Sequence, residues 1–472
     1  MNKTRMSLLI LLCFGACRPP APAGESTADL VDIVIRGGTV VTMDSDRRVL
    51  EGGSVVVRGE RIEAVLAAGE AVPSARETVD ATGQLVIPGL VNSHGHVAMT
   101  LLRGVADDLK LMEWLEGYIF PAEGKNVSPE FVYWGTLLGC IEMARSGTTT
   151  FTDQYYFEEE VARATDEAGL RGVLGQTIIG FPVPDYKTPE EALAGTEGFI
   201  LRYRDHPRVI PSVAPHALYT TSIEVVERAY ELARRYAVPF QIHAVEPPTE
   251  NEQVLKMLGK ETIPALDDAG ILAPGTILHH SIWLSDSDIE RIARSGAGVS
   301  HNPESNMKTA SGVARVPELL AAGVPVGLGT DGPASNNNLD LFEEMDTAAK
   351  LHKVVTLDPT VMPAETVFQM ATLGGARALG LEGSIGSIEP GKLADIVMID
   401  ARVPELTPLY DVYSHLVYVV KGGDVGSVLV GGRFVVRNRD VTTVDVDEVM
   451  ARARELQVQI LKSLEEVEVE RE

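Results

Sequence analysis

Between residues 89 and 386, short strand-like runs alternate with helical stretches, and this alternation constrains the fold more than any other feature of the chain. Val209-Ile-Pro-Ser-Val, Phe240-Gln-Ile-His, Thr276-Ile-Leu-His-His and Val324-Pro-Val-Gly-Leu-Gly read as strands. Helical segments such as Ser222 to Arg235 and Glu343 to Lys353 lie between them. Strand followed by helix, repeated over about 300 residues, predicts a (β/α)8 barrel rather than two Rossmann halves.

The two ends have a different texture. From Val31 to about Val86, β-rich pieces alternate with turns, and the same pattern returns at Ala394 to Ile399 and Val425 to Val436. Pairing the two ends makes one small β domain beside the barrel. The expected division is therefore 1–29 leader and linker, 30–88 first part of the small domain, 89–386 barrel, 387–440 second part, and 441–472 terminal helix with a charged tail. Asp445-Val-Asp-Glu448 supplies the N-terminal cap of that helix.

Composition removes several partners. Sixty-seven acidic against 41 basic side chains give a formal charge of -26, and no basic run offsets the repulsion from a phosphate backbone, so nucleic acid is excluded as a partner. With only three cysteines, Cys13, Cys17 and Cys140, neither a disulfide scaffold nor a zinc-thiolate cluster is available. At the start, Lys3 and Arg5 precede the apolar run Met6 to Ala16, then Cys17 and a Pro/Ala-rich spacer. The run is too short to span a bilayer comfortably. Phe-Gly-Ala-Cys resembles a bacterial lipobox, with Phe14 where Leu is more usual. The expectation is an exported protein of the bacterial cell envelope or periplasm, lipid-anchored at Cys17, with plain signal cleavage as the alternative.

Four short constellations carry the chemistry. In Asn92-Ser-His94-Gly-His96 the two imidazoles stand at i and i+2, on one side of an extended chain, and Gly95 leaves room for an ion between them. Alone, such a pair equally describes two histidines satisfied in a loop. In His243-Ala-Val-Glu246 a ligand at a strand end is followed by a carboxylate placed to move a proton of the attacking water. His279-His280 ends an apolar run, where one ring can orient that water and the other pack. Asp331 lies just beyond Gly327-Leu-Gly-Thr, in a turn-rich loop where an Asp often caps its own backbone. Their order settles the matter: the C-terminal ends of all barrel strands converge on one mouth, so these residues meet there. Three histidines and one aspartate then suit one borderline-soft divalent cation, zinc first and ferrous iron second.

Gly89-Leu-Val-Asn-Ser-His-Gly-His, Met99-Thr-Leu-Leu-Arg-Gly, His243-Ala-Val-Glu246, Ser300-His-Asn-Pro-Glu-Ser-Asn and Gly329-Thr-Asp-Gly-Pro-Ala-Ser-Asn-Asn together resemble the amidohydrolase superfamily. Within it, the chain is similar to the branch of methylthioadenosine/S-adenosylhomocysteine deaminases and triazine chlorohydrolases, over about residues 30 to 465. The resemblance implies a metal-bearing barrel with a small β-sandwich domain built from both chain ends. It implies that His94, His96, His243 and Asp331 bind one metal. Glu246 is then the proton-shuttling acid/base, His280 orients the attacking hydroxide, and Asp331 also accepts a proton from the nucleophilic water. His279 stands where the family does not usually carry histidine and is assigned to packing.

The same resemblance implies a pocket. Trp114 matches a residue near the substrate, Glu123 an acceptor of ribose hydroxyls, and His216 a further substrate contact. One departure stands out: Gln176 occupies the place of a family arginine, and the loop after Phe181 supplies no second one. Glutamine replaces neither the charge nor the fork geometry with which arginine grips a carboxylate. The implied reaction is hydrolytic deamination of adenosine or methylthioadenosine, rather than of S-adenosylhomocysteine. Hydrolysis of triazines or other amino- or chloro-heterocycles is the alternative on the same machinery. From a different class comes a non-catalytic exported binding protein, for which loss of a ligand or of Glu246 would be expected. A homo-oligomer is compatible with all of these readings.

Overall fold

A computed structural model describes residues 30–471. The leader and the Cys17 anchor expected at residues 1–29 lie outside the described residues. Five strands open the fold: β1 (Val31–Val41), β2 (Val49–Arg58), β3 (Arg61–Leu66), β4 (Ala75–Asp80) and β5 (Gln84–Pro88). Eight strands follow, β6 (Leu90–Asn92), β7 (Thr148–Tyr155), β8 (Arg171–Ile178), β9 (Val209–Pro215), β10 (Phe240–Ala244), β11 (Thr276–His280), β12 (Gly298–His301) and β13 (Val326–Leu328). The C-terminal part adds β14 (Ile396–Asp400), β15 (Val425–Val430), β16 (Arg433–Arg437) and β17 (Asp440–Val441).

The first and last groups form one sheet, in the order β17-β16-β15-β14-β5-β1-β2-β3 with β4 alongside β1. The chain ends meet where β14 runs antiparallel to β5, Ile396 opposite Pro88 and Asp400 opposite Gln84. β1 changes partner along its length: Val31 to Arg36 lie parallel to β4, whereas Thr39 and Val40 pair with Leu85 and Val86. Bulges on either side of Gly38 make the change possible, since an extra residue bends a strand and raises its twist. A Cβ on Gly38 would stand 2.7 Å from a methyl of Val86. The bent sheet wraps a core of its own that includes Ile35, Val40, Val55, Val86, Ile396 and Leu429.

β6 to β13 are parallel neighbours in chain order. Every residue of β7 and β8 is buried, the pattern of strands covered by helices outside and packed side chains inside. The seam between first and last strands is closed by single bonds: the Ser93 N–H and Oγ both donate to the Leu328 carbonyl, at 2.9 and 2.8 Å, and the Asp331 N–H donates to the His94 carbonyl at 3.1 Å. This closure brings residues 237 positions apart, His94 and Asp331, side by side.

The helices follow their sequence signals. Ile223–Tyr236 starts at Ser222, whose hydroxyl accepts the Val225 N–H, and buries Val226, Ala229, Leu232 and Ala233 along one stripe. The terminal helix Val446–Arg471 starts at Asp445, which accepts the N–H groups of Asp447 and Glu448. It packs on Phe120–Asn126 and Pro129–Arg145, and Asn126 donates to Ser463 Oγ at 2.7 Å. The terminal helix thereby braces the segment that carries Glu123. Between barrel and small sheet, Arg171 donates to both oxygens of Asp395 at 3.2 Å, with each side chain at most 5% exposed. Among the described residues no helix is long and apolar enough to cross a membrane.

Candidate metal centre and substrate cavity

The residues singled out in the sequence come together at the C-terminal mouth of the barrel. One cavity there is lined by His96, Trp114, Glu123, His216, Glu246, His280 and Asp331, with His94 buried beneath its floor. Nε2 of His94 and Nε2 of His96 each lie 3.3 Å from Oδ1 of Asp331. Donor atoms of His94, His96 and Asp331 stand within 4.8 Å of one another, as do those of His94, His243 and His280. His94 is common to both groups.

The rings of His96 and His243 are each held by the other nitrogen. His96 Nδ1 is 2.6 Å from the Gln154 carbonyl, and His243 Nδ1 is 3.0 Å from the His216 carbonyl. A carbonyl only accepts, so both Nδ1 atoms carry the proton and both Nε2 lone pairs face the centre, the arrangement typical of metal-ligating histidines. His94 is fully buried, yet neither of its nitrogens has a hydrogen-bond partner. Buried polar atoms without partners are costly. A divalent cation would satisfy His94 and fits the N,N,N,O donor set around it.

Electrostatics agree with that donor set. Burial pushes the His94 imidazole down to about 3 and that of His243 well below its ordinary value, and it lowers His96 as well. These rings are neutral at physiological pH, as ligands must be. Burial works against the charge of Asp331, but the imidazoles of His94, His280 and His96 outweigh it and hold the carboxyl well below its usual range. Its Oδ2 accepts from Ser305 Oγ at 2.6 Å and Ser335 Oγ at 2.9 Å, which leaves Oδ1 toward the histidines.

His280 and Glu246 face this centre from the side. His280 Nε2 lies 3.9 Å from Glu246 Oε2 and 3.9 Å from Asp331 Oδ2, and its Nδ1 donates to Asn306 Oδ1 at 2.8 Å. Burial opposes protonation of His280, yet Glu246, Asp331 and Asn306 pull its value up. Burial raises Glu246 toward the protonated form, with His280 opposing and Asp331 adding. The Glu246 loop is anchored by its N–H to Glu250 Oε2 at 3.1 Å. Val245, His280, Ser281 and Asp331 all have positive φ, between 48° and 64°. Such backbone costs energy for non-glycine residues, and it clusters here at the strand exits that aim these side chains.

The far wall of the cavity comes from the segment Leu111 to Asn126, where an α-helical start (Leu111–Trp114) passes through a π turn (Leu115–Ile119) into Phe120–Asn126. The π turn shifts the helical phase, so that Trp114 and Glu123 both reach the cavity. Glu123 is 3% exposed and accepts from Tyr155 Oη at 2.7 Å, with Tyr156 Oη at 3.5 Å. Burial raises its carboxyl to about 7. His216 donates or accepts through Nδ1 with Thr220 Oγ1 at 2.8 Å, and burial lowers its imidazole to about 3.

His279 is outside the cavity. It stacks on His94 and meets Gln241, in keeping with its assignment to packing. Gln176 lies opposite Tyr155 in the pairing of β7 with β8 and donates through Nε2 to Asp185 Oδ2 at 2.8 Å. The sequence reading gave no role to Asn306, Ser305, Ser335 or Tyr155. Ser305 and Asn306 follow β12 in a polar run between apolar neighbours, and Tyr155 ends β7; those positions at strand exits were the available signal.

Comparison with known proteins agrees with this architecture. The amidohydrolase family profile matches residues 85–435. A 5-methylthioadenosine/S-adenosylhomocysteine deaminase of Syntrophus aciditrophicus (strain SB) is 49% identical over 438 residues, 92% of this chain and 99% of that protein. The crystal structure of an adenosine deaminase from Xanthomonas campestris with bound zinc superimposes with a TM-score of 0.90 at 38% identity, covering 92% of this chain and 99% of that one. The zinc complex of atrazine chlorohydrolase from Arthrobacter aurescens TC1 gives a TM-score of 0.85 at 24% identity, over 90% and 100% of the two chains, a likeness of fold. By profile, sequence and fold together, the chain belongs to the amidohydrolase family.

Proposed function

We propose that the protein is a hydrolytic deaminase of adenosine-type nucleosides, adenosine or methylthioadenosine, that works with one divalent cation, zinc in the first place. The observation that carries this reading is the facing of Glu246, His280 and Asp331, with His280 Nε2 3.9 Å from each carboxylate, across a cavity whose opposite wall presents Glu123. The named activities of the 49% identical relative and the zinc-bearing adenosine deaminase structure support it.

His94, His96, His243 and Asp331 would hold the cation, which when bound makes hydroxide available near neutrality by lowering the pKa of water. Asp331 takes a proton from the attacking water. The oxygen adds to the ring carbon that carries the exocyclic amine, while Glu246 gives its proton to the neighbouring ring nitrogen. Asp331 returns its proton to the amine, the C–N bond breaks and ammonia leaves. The remaining hydroxyl proton goes to Glu246 as the ring carbonyl forms, so Glu246 ends as it began. His280 orients the water through Nε2, and its own ring is kept in place by Asn306. Glu123, held by Tyr155, accepts hydrogen bonds from ribose hydroxyls, and Trp114 and His216 complete the wall around the substrate.

Displacement of chloride from a triazine would use the same acid and base, but it leaves Glu123 without a hydroxyl to receive. The test is ammonia release by the zinc-loaded protein. Glu246→Gln is expected to lower kcat for adenosine or methylthioadenosine by about 100-fold or more, with the metal still bound. Chloride release from a chlorotriazine, with no ammonia from either nucleoside, would refute the reading. Export and lipidation at Cys17 belong to the same proposal, supported by the charged and apolar order of residues 3–17. Loss of membrane attachment in Cys17→Ser tests them.

A further inference from the structure

Residues 104–110 lead from the short helix Val97–Leu102 into Leu111–Asn126, the cavity wall that carries Trp114 and Glu123. Val105, Ala106 and Leu109 of this stretch are partly buried against the core. Among the described residues, every hydrogen bond from residues 104–110 to a residue beyond 97–114 is made by Asp107.

The partners of Asp107 form a closed ring. Lys308 Nζ donates to Asp107 Oδ1 at 2.6 Å, to the Ala334 carbonyl at 3.2 Å and to Asn337 Oδ1, and Asn337 Nδ2 donates to Asp107 Oδ2 at 3.3 Å. All three ammonium hydrogens are thereby used. An exposed ion pair on its own holds little. Here the Lys308 side chain is only 24% exposed and both oxygens of Asp107 are engaged, so the ring has one geometry rather than many.

Lys308 stands on a fixed post. It ends the helix Pro303–Lys308, whose Ser305 and Asn306 bond Asp331 and His280, and whose Glu304 N–H donates to the buried Glu344 at 3.2 Å. Ala334 and Asn337 belong to the loop after β13, which Ser335 ties to Asp331. The Asp107 side is the strained one. Ala106 and Asp108 on either side of it have φ of 60° and 65°, a left-handed backbone that L residues adopt at a cost. A turn held in that form relaxes when its anchoring bonds go, and the wall joined to it follows.

We infer that Lys308, with Asn337, is a positioning residue that holds the substrate wall against the barrel mouth by gripping Asp107. On the deaminase reading, Trp114 and Glu123 thereby stay within reach of the base and the ribose.

Lys308→Met keeps the apolar stem and removes the donors, and Asp107→Ala removes the acceptor. Trypsin reads the wall directly, because Lys110 is exposed at the end of the gripped stretch. In the zinc-loaded protein, cleavage after Lys110 should be about tenfold faster in either variant than in the wild type, since cleavage follows the population of the open form. The double variant should be no faster than the singles, as expected of residues that act through one contact. With adenosine, Lys308→Met should raise KM about tenfold and change kcat by less than about twofold, the pattern of lost binding rather than lost chemistry. Wild-type cleavage rates in both single variants, or additive acceleration in the double variant, overturn the inference. So does a fall in kcat with KM unchanged, which would mean that the lysine acts on Asp331 or His280 through its own helix. Should Lys308→Met not fold, Asp107→Ala carries the same two readouts. A wild-type protein inert toward nucleosides defeats the deaminase reading, and trypsin then still decides whether Lys308 holds the wall.

Discussion

The rings of His94 and His279 lie stacked, 3.8 Å between centroids and 23° between planes, and His279 Nε2 donates to Gln241 Oε1 at 3.1 Å. Gln241 is fixed in turn by its bonds to Ser212 Oγ and the Asp153 carbonyl. A chain of contacts from the barrel interior therefore sets the plane of the one histidine common to both donor groups. Partners of this kind are worth about 10- to 100-fold in metal affinity. His279→Ala is expected to weaken zinc binding by that factor, measured by competition with a chelator, while circular dichroism remains that of the folded protein. Unchanged affinity would show that His94 orients itself.

Gly329 tests the same packing from the other side. A Cβ there would stand 2.9 Å from the His94 Cβ, 2.5 Å from Asn302 Oδ1 and 2.6 Å from Ser300 Oγ. Overpacking a tight core costs about 1–3 kcal/mol. Gly329→Ala should lower the thermal midpoint and the zinc content of the purified protein together. A variant that keeps full zinc occupancy would mean that His94 has room to move.

Glu123 links pH to stability. Its carboxyl is raised by burial from 4.5 to about 7 in the folded chain, so the folded state holds this proton between those values and the unfolded state does not. Stability from this group is complete below pH 4.5 and falls as pH rises toward 7. The shift corresponds to at most about 3 kcal/mol. Glu123→Gln keeps an acceptor for Tyr155 and removes the charge, so urea midpoints should show it stabilised relative to wild type at pH 8 more than at pH 5. The same variant should raise KM for adenosine, since the hydroxyl acceptor is weakened.

The Arg171 to Asp395 pair joins the barrel to the small sheet in a buried setting, and Asp395 also accepts the Gly431 N–H at 2.7 Å. Removing one partner strands the other charge, at a cost of about 3–5 kcal/mol. Asp395→Ala should destabilise by that amount in chemical denaturation. Arg171→Met with Asp395→Leu should lose less than the single change, because no buried charge is left unpaired.

The barrel and its mouth were legible in the sequence because parallel strands deliver their C-terminal ends to one place, so His94, His96, His243, Glu246, His280 and Asp331 needed only to be ordered along the chain. His279 and His280 show where that reading ends. Neighbouring residues on a strand alternate sides, but the positive φ of His280 turns its ring into the cavity while His279 stays in the interior. The π turn at Leu115–Ile119 likewise has no periodic signature, although it is what lets Trp114 and Glu123 share a wall. Asn306, Ser305 and Ser335 find His280 and Asp331 only once the loops after β12 and β13 are folded. The bulges at Gly38 that let β1 serve two neighbours depend on which strands come to lie beside it.

Activity as a function of bound zinc tests the central claim most directly. Metal-stripped protein titrated with zinc should gain deaminase activity on methylthioadenosine in proportion to bound metal, reach a plateau at about one equivalent, and lose both binding and activity in His94→Ala. Full activity in the stripped protein, or a plateau only at two equivalents, would contradict a single cation held by His94, His96, His243 and Asp331.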